Sequence, residues 1–145
     1  MTNNNSTYIL GIILFFIMDV IYDTPPISIV SSRDGLLYRV GVKRLPSETE
    51  VEDFLNVLYT RVYTSKDFVL VYNLGDLVVG AGDFDVCYQR GVSLASFYNG
   101  VDMQESRLRA REVVIITGNH LLKTVLNMIL MIYPSPVKIT CRESF

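Results

Sequence analysis

Histidine occurs once in this chain, at His120, and cysteine twice, at Cys87 and Cys141. A single histidine excludes a His-x-x-x-His zinc pair, and no serine stands in a G-x-S-x-G elbow. The cysteines form neither a C-x-x-C pair nor a zinc spacing, so a bound metal is not expected. Buried reduced thiols are the plain reading of both, which fits a reducing, cytoplasmic setting. Basic charge is not in excess. The net charge of −2 gives no electrostatic ground for nucleic acid. The densest basic spot, Arg107-Leu108-Arg109-Ala110-Arg111, is flanked by Glu105 and Glu112. It reads as a solvated helix end or as an anion or acidic-lipid contact.

A full membrane-spanning run is also missing. The longest apolar stretch, Tyr8 to Met18, is broken only by Gly11, then stopped by Asp19 and extended by Val20-Ile21-Tyr22. A spanning helix needs roughly 20 apolar residues. Met1 to Thr7 has no Lys or Arg, and Val20 to Pro25 offers no A-x-A, so a signal peptide fits poorly. Three readings stay open. The segment is a packing element of the domain, a short membrane anchor that would make the protein membrane-associated, or an upstream extension with Met18 as the natural start.

What is present is apolar and regularly patterned. Half the residues are hydrophobic, yet charged residues recur through the chain after Tyr22. At 145 residues this predicts one domain with a sizeable core. Pro25-Pro26 closes an N-terminal segment over residues 1–26, because neither proline donates a backbone hydrogen bond. The domain is expected over 27–145.

Ile27 to Ser31 has strand character, Asp34-Gly35 is a hairpin signal, and Leu36 to Val42 is the return strand. Ser47 with Glu50 three residues later makes a capping box, and Val51, Phe54, Leu55, Leu58 and Val62 follow at helical spacing. Phe68 to Tyr72 is a continuous apolar run suited to a central strand. Asp83 or Asp85 can cap a helix over Phe84 to Tyr98, which Asn99-Gly100 is expected to break. A polar stretch, Asp102 to Arg111, reads as helical. Val113 to Ile116 is a strand, and a turn at Thr117 to His120, an apolar helix to Tyr133 and a strand from Val137 complete a βαβ unit. The pattern ββαβααβαβ predicts an α/β fold, with a mixed, mostly parallel sheet opened by an antiparallel hairpin and covered by helices.

This order of elements, with Val-Tyr-Asn-Leu-Gly-Asp-Leu from Val71 and Val-Val-Ile-Ile-Thr-Gly-Asn-His-Leu-Leu-Lys-Thr-Val-Leu-Asn from Val113, resembles the STAS-like domains of protists and algae. These are relatives of anti-sigma-factor antagonists and, more distantly, of CRAL-TRIO domains. The resemblance covers Ile27 to about Cys141. It implies a small non-catalytic binding or scaffolding domain without a cofactor. Bacterial antagonists carry a phosphorylatable Ser at the start of the helix after the central strand. Gly82-Asp83-Phe84-Asp85 stands there in this chain, so the resemblance does not extend to that switch. Relatives also continue past the position of Phe145 into a last helix. The resemblance therefore implies a gap that the apolar N-terminal segment could fill.

Two places are candidate sites. Ligands of open α/β sheets bind beyond the carboxyl ends of the strands. Those ends carry Asn73, Gly75 and Asp76 on one strand and Gly118, Asn119, His120 and Lys123 after another. Asn119 can cap the following helix, whose free N–H groups with Lys123 could hold an anion; the plain alternative is that Asn73 and Asn119 satisfy loop backbone. Gly80-Ala81-Gly82 lacks the third glycine of a dinucleotide fingerprint and reads as a loop. The second place is the helix Leu121 to Tyr133, whose second half is apolar on every face. Such a helix is wrapped by its own chain or meets a partner. Met128, Met131, Ile132 and Tyr133 are the expected patch. Its occupant is the N-terminal segment, a homodimer or protein partner, or a membrane or lipid. The leading expectation is a non-enzymatic interaction domain. A membrane-peripheral or lipid-binding module is the alternative, and a small enzyme using His120 the third.

Overall fold

Six strands lie in one sheet in chain order: β1 (Asp19–Asp23), β2 (Ile27–Ser31), β3 (Leu37–Val42), β4 (Phe68–Asn73), β5 (Ala110–Ile116) and β6 (Lys138–Arg142). The computed structural model describes residues 18–64, 67–102, 110–135 and 137–144. β1, β2 and β3 pair antiparallel, and β3 through β6 pair parallel. Helices α1 (Glu48–Val57), α2 (Phe84–Asp102) and α3 (His120–Ile132) fill the three parallel crossovers. The protein is therefore α/β with a mixed sheet, as the alternation of strand and helix patterns predicts. The 8–17 apolar run and most of the polar stretch expected to be helical lie outside the described residues.

Local chemistry explains the first turns. Gly35 takes φ +71°, the left-handed region that glycine adopts without penalty. The Asp34 carboxylate accepts from Leu36 N at 3.0 Å and from Ser32 Oγ at 2.6 Å, closing the hairpin between β2 and β3. The capping box forms in full: Glu50 N donates to Ser47 Oγ, and Ser47 N donates to Glu50 Oε1 at 2.8 Å. A π-helical turn over Leu58–Val62 extends α1. β1 is new relative to the sequence pattern. Its five residues precede the two prolines, yet they pair with β2, and Arg61 Nη1 donates to Ile21 O at 2.6 Å.

α2 runs four residues past the expected stop at Tyr98. Asn99 does not break it, because its Nδ2 donates back to Ala95 O at 3.0 Å and keeps the side chain within the helical turn. Phe97 and Tyr98 anchor the same turn in an aromatic cluster with Tyr63 and Tyr72.

A sheet that grows steadily in one direction through right-handed crossovers places every crossover helix on one face. The side chains agree. Ile27, Ile29, Tyr38, Val40, Phe68, Leu70, Tyr72 and Val113 form one core with Phe54, Leu58, Val62 and Tyr63. The opposite parity gives a separate apolar cluster, Val71, Val114 and Ile116 with Leu37 and Val69, on the face that carries none of the described helices. Register fixes the layers: Tyr38, Leu70, Val113 and Ile139 are successive neighbours across four strands on the helix-bearing face.

Candidate functional site

The carboxyl ends of β4 and β5 lie side by side, because Asn73 pairs with Ile116 in the parallel ladder. Leu74 N donates to Ile116 O at 2.9 Å and holds the two loops together. Asn73 Oδ1 accepts from Gly75 N at 3.0 Å, an Asx turn that ends the strand. A Cβ at Gly75 would sit 3.1 Å from that same oxygen. Asp76 is exposed.

After β5, Thr117 is buried, and its Oγ1 accepts from Asn119 N at 3.1 Å. Asn119 is the N-cap of α3, with Oδ1 accepting from Leu122 N at 3.1 Å. Its Nδ2 donates to Val79 O at 3.3 Å, reaching the loop that follows β4. Both ends of this side chain are thus engaged with backbone. Gly118 and His120 are exposed. Lys123 Nζ pairs with Glu143 Oε1 at 2.7 Å, and the lysine holds the Glu143 carboxyl below its ordinary range.

The structure therefore gathers the predicted loop residues at one end of the sheet and adds Glu143. No sequence spacing marked that glutamate. It arrives because β6 pairs parallel with β5, placing Arg142 opposite Ile116. Its carboxylate occupies the cation that an anion would use.

The α3 surface is differently built. Val125 and Ile129 are buried and Leu122 packs with them, against Cys87 of α2. Met128, Met131 and Ile132 stand at i, i+3 and i+4, which is one helix face. They are 39, 85 and 58 % exposed. The polar half of that face is Thr124 and Asn127, so the apolar patch is confined to the last turn and a half. Tyr133 does not join it; the ring is half-buried against the Cys87, Val125 and Ile129 cluster.

Among the described residues, no group of three His, Cys, Asp or Glu is placed to hold a metal ion. Cys87 is buried and Cys141 exposed, both as free thiols. Burial, seconded by Asp83, pushes the Cys87 thiol up and away from a reactive thiolate. No helix among the described residues is long and apolar enough to cross a membrane. Compared with known protein families, with curated proteins and with solved structures, the chain matches none.

Proposed function

We propose that this chain is a non-catalytic interaction domain of STAS-like type that meets a protein partner, in the simplest case a second copy, through the exposed end of α3. The observation that carries the reading is Met131, 85 % exposed beside Ile132 at 58 % on a helix whose opposite face buries Val125 and Ile129. Exposed large apolar groups clustered on one rigid element mark contact surfaces more often than isolated ones do. Methionine adds an unbranched, adaptable side chain to such a surface. The hairpin, the capped helix and the alternating strands and helices after it, part of the order on which the STAS-like resemblance rests, support the same reading. Free thiols at Cys87 and Cys141 favour a cytoplasmic setting.

The test is the oligomeric state of the full chain, by sedimentation velocity over a wide concentration range. Self-association is expected, and it should be lost in the double variant Met131→Glu, Ile132→Glu. Both side chains point away from the core, so the variant keeps its fold. A chain that stays monomeric throughout, and whose flotation on liposomes is abolished by the same substitutions, would instead make α3 a membrane-peripheral surface.

A further inference from the structure

The parallel part of the sheet, β3 to β6, carries its described helices on one face. Parallel strands are almost always covered on both faces. The outer face, opposite the helices, is apolar at its centre. Register sets Val71 beside Val114, with Leu37, Val69 and Ile116 around them.

Burial on this outer face is deeper than its described neighbours account for. Val71, Val114 and Ile116 are 7, 8 and 4 % exposed. Adjacent strands, about 4.8 Å away, shield the flanks of such side chains, but their ends point away from the sheet and stay open unless a second layer lies over them. The described apolar residues packed against the three, Leu37 and Val69, belong to the same layer. Arg39 stands between Val30 and Val71 on this face, and burial lowers its guanidinium from the ordinary value. The cover is centred on β4 and β5, since Val20, on the same face at the β1 edge, is 65 % exposed.

One segment of the chain has the composition, the length and the point of attachment for that layer. Tyr8 to Ile17 is apolar throughout apart from Gly11, and it leads through Met18 into β1. Asp19 lies level with Ser31, Tyr38, Leu70 and Val113 on successive strands, so the run meets the sheet at the amino ends of β4 and β5. β4 is the third strand from β1, about 14 Å away. The ten residues 8–17 span about 15 Å as a helix and about 33 Å extended, and reach the face in either form. The other apolar surface open to them, the end of α3, is uncovered at Met131.

We infer that the run Tyr8 to Ile17 packs within its own molecule across the outer face of β4 and β5, over Val71, Val114 and Ile116. It is then a second layer of the domain rather than a membrane anchor. The inference does not rest on the reading of α3, whose exposed end lies on the other side of the sheet.

The test is methyl NMR of the full chain labelled at Ile and Val. Nuclear Overhauser contacts from the Ile9, Ile12 and Ile13 δ1 methyls to the methyls of Val71 and Val114 are expected, and none between copies in a sample of mixed labelling. A soluble nitroxide should broaden Val71 and Val114 no more than Val113, which lies on the helix side. In the double variant Ile13→Asp, Leu14→Asp it should broaden them at least threefold more, with Val113 still shielded. Unchanged shielding of Val71 and Val114 in a folded variant would overturn the inference. Should the variant fail to fold, the contacts in the wild-type chain decide. Contacts found only between copies would give the face to a second molecule and overturn it. A run without contacts to this face would overturn it too, whether the chain then floats on liposomes, as an anchored protein would, or stays in solution.

Discussion

Asn119 is where one side chain decides the geometry of two loops. Its oxygen caps α3 at Leu122 N, and its nitrogen holds Val79 O across the gap to the β4 loop. Asn119→Ala removes both bonds. An N-cap of this kind is worth about 1 kcal/mol, and a net backbone hydrogen bond about as much again. Asn119→Asp keeps the cap and favours the helix N-terminus, but it sets a carboxylate oxygen against a carbonyl. The expected order of urea midpoints is wild type, then Asp, then Ala; an Asp variant no more stable than Ala would show that the Val79 bond, not the cap, holds the loop. The cap was legible in the sequence, since Asn before an apolar helical run is a local signal. The tie to Val79 was not, because it depends on two strands lying next to each other. The Lys123–Glu143 pair was hidden for the same reason.

At the scale of elements, the contact of α2 with α3 turns on Gly91. A Cβ there would come within 2.3 Å of Ile129 Cδ1. The obstacle is the far end of a side chain that borders a cavity, so Ile129 can turn aside for a methyl group. Alanine also gains about 1 kcal/mol over glycine within a helix. Gly91→Ala should therefore change stability little. Gly91→Leu cannot be accommodated by one rotation and should cost about 1–3 kcal/mol as overpacking. Thermal melts of the two variants check this, and an Ala variant as damaged as Leu would mean that the helices cannot give at all. A glycine inside a helical run is visible in the sequence, but what it makes room for is not. Other elements differed in how far local signals reached. The β2–β3 hairpin and the α1 capping box were written in adjacent residues. β1 was masked by its continuity with the apolar run before it, and only the ladder with β2 reveals it. The end of α2 was misplaced because Asn99-Gly100 is a breaker by composition, whereas Phe97 and Tyr98 packing overrides that preference.

At the scale of the whole molecule, the described helices stand on one side of the sheet over its larger core, and a set of ties holds the periphery. Four carboxylates in those ties sit below their ordinary range. The Ser32 hydroxyl and Leu36 N hold Asp34 down in the hairpin, and Ser47 N with Arg44 does so for Glu50 at the start of α1. Thr140 Oγ1 donates to Glu112 Oε2 across β5 and β6, with Lys138 adding its charge, and Lys123 holds Glu143. A carboxyl whose folded value is depressed stabilises the fold at any pH above its unfolded value. That contribution is lost as pH falls through the folded value. All four shifts have the same sign, so their losses add on the acid side. The melting temperature should hold steady down to about pH 5 and then decline toward about pH 3. Asp34 and Glu143 are exposed and Glu50 and Glu112 only half-buried, so each share is small and is weakened by salt. The double variant Thr140→Val, Glu143→Gln removes the principal hydrogen bond to Glu112 and the Glu143 charge, and its melting curve should fall less steeply over the same interval. A double variant that parallels the wild type through that interval would place the acid sensitivity in the hairpin and the α1 cap instead, where Asp34→Asn and Glu50→Gln would then flatten it.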